Sequence, residues 1–186
     1  MKKIMFNDKY GLTQAVLEGL KTQTRRTFLR PGEENLLHGI TPEYLISVRS
    51  RYKVGETIAI AQSYKDIHDE ALREVGDCDL QKEFLQSKGY TNKMFVRAEM
   101  MPHTIRITNI RVERLQDISE EDCLKESIWR DENVGLEGTT YWYHGLTNSS
   151  FRTPQEAYAS LIDSISGKGT WASNPYVFVY DFELIK

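Results

Sequence analysis

The chain has 186 residues, 40% of them apolar and 27% charged, enough for one domain with a real core and unlike a disordered or fibrous protein. A net charge of −3 argues against a non-specific nucleic-acid coat protein. The charge is uneven: residues 1–53 carry ten Lys/Arg against five Asp/Glu, and the remainder fourteen against twenty-two, so the first third either forms a local anion-attracting surface or scatters its cations over the fold.

At the amino terminus, charge returns too soon for the apolar region of a signal peptide, and no later run approaches a membrane span. Leu12–Glu18 is the first expected helix, with Leu12, Ala15 and Val16 apolar and Gly19 at the position after its end, where a left-handed residue stops a helix. Lys21–Phe28 alternates like a strand, and Arg30-Pro31-Gly32-Glu33 reads as a turn. Lys53-Val54-Gly55-Glu56 turns into a short strand, Thr57–Ala61. Residues 63–90 are charged and mostly helix-forming, with breaks at Gly76 and Gly89. They read as a helical insertion, having too few large apolar residues for a second domain.

Met94–Ala98 is a further strand candidate. Thr104–Leu115 is a long β-branched strand whose alternation slips, Ile105 and Ile107 sharing one parity and Ile110 and Val112 the other, so a bulge is expected near Thr108-Asn109. Asp117–Ser127 opens as a helix, with Ser119 as N-cap, Asp122 three residues on, and Ile118 placed to staple to Cys123. Residues 130–150 read as a Gly- and Tyr-rich loop. Thr153 caps the next helix, with Pro154 at its first position and Glu156 closing the capping box. Its core stripe is Tyr158, Leu161, Ile162 and Ile165, and Gly167 and Gly169 end it. In the last strand Tyr176, Phe178, Tyr180, Phe182 and Leu184 face the core, opposite Val177, Val179, Asp181 and Glu183. Without a regular βαβ rhythm the class is α+β, a largely antiparallel barrel or sheet with flanking helices in one domain.

Familiar chemistries are excluded one by one. Cys78 and Cys123 form no CxxC or disulfide framework, so a reducing, cytoplasmic setting is the default. Gly167-Lys168-Gly169-Thr170 lacks P-loop spacing and follows a helix. His38, His68, His103 and His144 show no metal-ligand spacing; no metal and no cofactor is expected. No serine-hydrolase elbow is present.

What remains is Gly19-Leu20-Lys21-Thr22-Gln23-Thr24-Arg25-Arg26. Cations and hydroxyls between a helix-ending glycine and a strand suit an oxyanion or phosphate cradle; the alternative is an edge strand kept basic against aggregation. This segment resembles the G-x-K-T-x-T-x-R signature of the ASCH domain family, which adopts a PUA-like β-barrel. The stretch from Arg111 to Asp122 is similar to the strand-to-helix segment of a bacterial and phage subgroup, and Gly167 to Val177 resembles that subgroup's closing turn and strand. The resemblance implies a cleft for RNA or a modified nucleoside, with Arg26, Thr22 and Arg25 as ligand-binding residues.

One branch of small ASCH proteins hydrolyses the amide of N4-acetylcytidine with a Lys, a Thr and a Glu. Those roles would fall on Lys21, Thr24 and Glu126, the lysine drawing the proton from the threonine hydroxyl and the glutamate shuttling one to the departing amine. In a regular strand residues 21 and 24 point to opposite faces about 10 Å apart, so the pair requires a turn or bulge at Lys21-Thr22. Trp171, Tyr176 and Tyr141-Trp142-Tyr143 are stacking candidates, with Trp142 and Trp171 taken as ligand-binding. Three expectations stand together: binding of RNA or a modified nucleoside, an amidohydrolase in the same cleft, or a protein-interaction module. The oligomeric state is not legible.

Overall fold

The computed structural model describes residues 1–28, 39–75, 82–132, 138–145 and 150–185. The expected turn at Arg30–Glu33, the break at Gly76, and Cys78 and His38 lie outside them. Seven strands are β1 (Lys3–Ile4), β2 (Gln23–Thr27), β3 (Thr57–Ile60), β4 (Thr104–Arg114), β5 (Trp129–Asp131), β6 (Thr140–Trp142) and β7 (Tyr176–Ile185). The helices are α1 (Leu12–Leu17), α2 (Pro42–Arg49), α3 (Tyr64–Val75), α4 (Lys82–Leu85), α5 (Glu120–Lys125), α6 (Pro154–Ser166) and α7 (Thr170–Ser173). The class is α+β. No described helix is long and apolar enough to cross a membrane.

The main sheet has the order β1-β3-β4-β7-β2. All its pairings are antiparallel except β1 with β3. β1 and β2 are its two edges, and among the described residues no ladder joins them to close a barrel. Arg26 spans the seam: its guanidinium donates to the Met5 carbonyl at 2.6 Å.

The bulge falls where the slipping alternation requires it, with the β4–β7 register shifting between Ile107 and Asn109. One extra residue there lets both Ile107 and Ile110 be buried. The N-caps also form as read: Ser119 accepts from the Asp122 amide, and Thr153 and Glu156 make a complete capping box. β7 departs from its expected one-sidedness. Val177 and Val179 are as buried as Phe178 and Tyr180, because β7 runs between two strand neighbours and is covered on both faces.

Two expectations are corrected. Met94–Ala98 is no strand; it forms 3-10 turns at Lys93–Phe95 and Ala98–Met100. The Asn92 side chain accepts from the Met94 amide, a local bond that competes with strand pairing. Residues 130–150 are not all loop, for β5 and β6 pair as a small second sheet. Trp129 stacks on Trp142 across that ladder, ring centres 5.1 Å apart. α2, unanticipated, starts at Thr41, whose side chain caps Tyr44, with Pro42 in its first turn.

Most of the core is one cluster, from Ile4 and Phe6 through Ile58, Ile60, Ile105 and Ile107 to Tyr158, Leu161 and Phe182. A smaller one forms under 63–90, where Tyr64, Val96, Ala98 and Met101 pack on Ala59 and Ala61 of and just after β3.

Candidate active site

Two short helices end in the same way and deliver the two charges of the site. After α1, Gly19 takes φ 75°, its amide donates to Val16, and the Leu20 amide reaches back to Ala15. This doubly bonded stop turns the chain so that Lys21 precedes the strand instead of belonging to it; β2 begins at Gln23. After α5, Ser127 adopts φ 76°, its amide donates to Leu124, and the Ile128 amide reaches back to Cys123. Glu126 is the C-cap of that helix. Thr22 clamps the two ends together: its amide donates to the Lys125 carbonyl at 3.0 Å, and its carbonyl accepts from Phe182 at 2.9 Å.

The consequence is a buried ion pair. Lys21 is 2% and Glu126 4% exposed. The Lys21 ammonium donates to the Glu126 carboxylate and, at 3.3 Å, to its backbone carbonyl. Burial pushes the Lys21 ammonium below its ordinary value against the opposing pull of Glu126, and the Arg26 and Arg25 charges lower it further. Behind the pair stands Arg25. Its guanidinium meets Asp122 at 2.9 Å, Glu113 at 3.3 Å and Glu126 at 3.5 Å and donates to the Gln23 side chain. Burial works against the Arg25 charge, but Glu126 and the other carboxylates outweigh it and raise its affinity for the proton. The lattice continues through Arg111, 2.8 Å from Asp122, 2.7 Å from Glu113 and 2.6 Å from Asp181.

This charged floor opens on a cavity of about 720 Å³, within the range of small-molecule sites. Lys21, Thr24, Arg25, Arg26 and Glu126 all line it. It wraps around the free edge of β2, so Thr24 and Arg25, neighbours of opposite parity, both reach it. Leu161, Ile162 and Ile165 of α6, with Leu115 and Val177, supply apolar wall. Exposed Asp8, Lys9 and Arg26 stand at the rim. The Thr24 hydroxyl makes no hydrogen bond with any described residue, Lys21 included. Among the described residues no cluster of His, Cys, Asp or Glu is arranged to hold a metal.

Of the ligand-binding residues expected, Arg26 and Arg25 line the cavity, while Thr22, Trp142 and Trp171 do not. Thr22 acts through its backbone. Trp142 is spent on Trp129, and Trp171 packs edge-on against Tyr158 at 6.2 Å. Tyr141 and Tyr143 also pack internally, Tyr141 bridging to Phe151 and Tyr143 hydrogen-bonding Ser160. Arg25 holds carboxylates in place and has little left to offer a ligand beyond its Nε, which finds no partner among the described residues.

Tyr158, expected in the core stripe of α6, is a further member of the site. It lines the cavity, and burial followed by the nearby Glu126 charge pushes its phenol well above the ordinary value. Its one legible signal was a hydroxyl-tipped ring in the middle of an apolar stripe. Lys93 is a second addition, on the wall through ion pairing with Asp8 at 2.7 Å, and nothing in its local sequence marks it. Compared with protein-family models, with curated proteins and with solved structures, the chain matches none.

Proposed function

We propose that this chain is an ASCH-type protein, a variant of the PUA-like barrel left open at the β1/β2 seam, whose cavity takes a modified nucleoside and hydrolyses an acyl amide on its cytosine ring. One observation carries the reading: the buried Lys21–Glu126 pair and the unbonded Thr24 hydroxyl line the same cavity. Burying two charges costs several kcal/mol per ion before their attraction returns it, and a lysine with a lowered proton affinity lining the same cavity as a hydroxyl is the equipment of an activated nucleophile. The resemblance of Gly19–Arg26 to the ASCH signature supports the same assignment.

The steps follow from the groups present. Lys21 passes its proton to Glu126 and, as a free amine, takes the proton of Thr24 while Oγ1 bonds to the acetyl carbon. The carbon–nitrogen bond breaks as Lys21 returns the proton to the exocyclic nitrogen, releasing cytidine and leaving an ester on Thr24. Lys21 then takes a proton from water as the water oxygen bonds to the ester carbon, and the bond to Thr24 breaks as Lys21 hands that proton to Oγ1. Acetic acid leaves and loses its own proton to solvent, and Glu126 returns its proton to Lys21. The Tyr158 phenol, kept protonated by its surroundings, is a donor facing the same space.

A second reading, binding of the nucleoside without turnover, is favoured by one feature: Lys21 bonds to Glu126 and not to Thr24. Incubation with N4-acetylcytidine separates the two. The hydrolase reading expects cytidine release by wild type and Thr24→Ser, and losses of about a hundredfold or more in Thr24→Ala, Lys21→Met and Glu126→Gln. Saturable binding with no cytidine released by wild type would leave the binding reading alone.

A further inference from the structure

A second cavity, of about 240 Å³, lies beside the first and shares Met5, Arg26 and Thr27 with it. Its character is different. Lys3, Arg26, Arg49 and Arg51 line it, and among the described residues no carboxylate does. None of the four cations forms an ion pair with a described carboxylate. Lys3 and Arg26 donate to the carbonyls of Met94, Val96 and Met5. The Arg51 guanidinium sits over the Tyr52 ring, 5.6 Å from its centre. Like charges converging on one small hollow repel one another unless an anion sits among them.

Three elements meet there. β1 supplies Lys3, β2 supplies Arg26, and the end of α2 with the residue after its cap supplies Arg49 and Arg51. Arg26 and Arg51 are close enough that both charges oppose the effect of burial on the Tyr52 hydroxyl. The hollow is smaller than the usual range for a whole ligand but ample for one group of a ligand whose remainder fills the larger space. Guanidinium forks suit the tetrahedral oxygens of a phosphate.

We infer that this annex holds a phosphate attached to the ligand of the main cavity, so that the preferred substrate is a nucleotide and not a free nucleoside. The inference rests on the nucleoside reading of the main cavity and adds a recognition element to it. A base against the α6 wall and the Lys21–Glu126 floor leaves its sugar near Met5 and Thr27, with the phosphate beyond Arg26. Whether that phosphate is a monoester or a link in a chain is a difference of source, since the recognition chemistry is the same.

The test is calorimetric titration of wild type and the double variant Arg49→Ala/Arg51→Ala with cytidine, cytidine 5′-monophosphate and a short single-stranded oligoribonucleotide. Both arginines are exposed, so the variant keeps its fold, which a thermal melt verifies. The wild type is expected to bind the monophosphate about tenfold or more tightly than cytidine, with the preference shrinking as salt rises and disappearing in the double variant, whose cytidine affinity is retained. A preference that survives in the oligoribonucleotide assigns the phosphate to a diester; one confined to the nucleotide assigns it to a monoester. Equal affinities in wild type, or a preference the double variant keeps, would overturn the annex. If cytidine, the product of the proposed reaction, does not bind, N4-acetylcytidine turnover still judges the main cavity and inorganic phosphate decides the annex alone: NMR shifts around Lys3 and Arg26 that vanish in the double variant support it, and their absence in wild type refutes it.

Discussion

Lys21 carries the least expected electrostatics of the chain, a cation almost fully enclosed and held by one carboxylate. Its proton affinity is lowered because burial outweighs the attraction of Glu126. The folded protein therefore releases this proton at a lower pH than the unfolded chain, whose lysine titrates near the ordinary 10.5. Between those two values the unfolded state binds more protons, so this residue's contribution to stability rises with pH across the window; below it, the cost of enclosing the ammonium is felt in full. Urea denaturation of wild type and Lys21→Met at a series of alkaline pH values should show the wild type gaining on the variant as pH climbs toward 10.5. A difference that stays flat would mean that the folded lysine titrates normally. Cys123 is the residue-scale contrast: burial pushes its thiol up to about 12, leaving an inert core side chain instead of a nucleophile.

The site is assembled by helix ends. The stop at Gly19 was legible because a glycine after an apolar helical run has a known mechanical use. The same stop at Ser127 was not, since a serine in the left-handed region gives no such signal. That difference explains the opposite-face difficulty for positions 21 and 24: with Lys21 released from the strand by the Gly19 turn, parity no longer governs it. Caps and the β4 bulge were legible for similar local reasons. The β5–β6 ladder was not, because its strands have three residues each, too few to show an alternation, and Trp129 meets Trp142 only once the strands are paired.

The Arg25 lattice was likewise hidden. It draws Asp122, Glu113 and Glu126 from two elements, although the shared parity of Arg111 and Glu113 on β4 was visible. At the opposite wall, α6 holds Tyr158, Leu161, Ile162 and Ile165 in place from a helix anchored by its capping box. Thr153 is exposed, so Thr153→Ala removes the cap and little else. A loss of about 1 kcal/mol in urea denaturation is expected, and an unchanged midpoint would show that packing alone holds this helix.

At the scale of the molecule, the sheet's two free edges and the chain's charge asymmetry have one explanation. The seam between β1 and β2 is where a barrel would close, and it is occupied by a cavity bridged by Arg26. Seven of the ten cations of the first 53 residues line at least one of the two adjoining hollows: Lys3, Lys9, Lys21, Arg25, Arg26, Arg49 and Arg51. In the larger hollow carboxylates answer Lys21 and Arg25, while the smaller one keeps a local positive character on an acidic protein. The proposed function turns on attack by Thr24 on an acyl amide in the larger hollow, with Lys21 and Glu126 moving the proton. Rapid quenching of the protein with N4-acetylcytidine, followed by peptide mass mapping, tests it most directly. An acetyl group on the hydroxyl of Thr24, absent in Thr24→Ala, is expected; cytidine release with Thr24 unmodified, or acetyl transferred to Lys21 instead, would rule out Thr24 as the nucleophile.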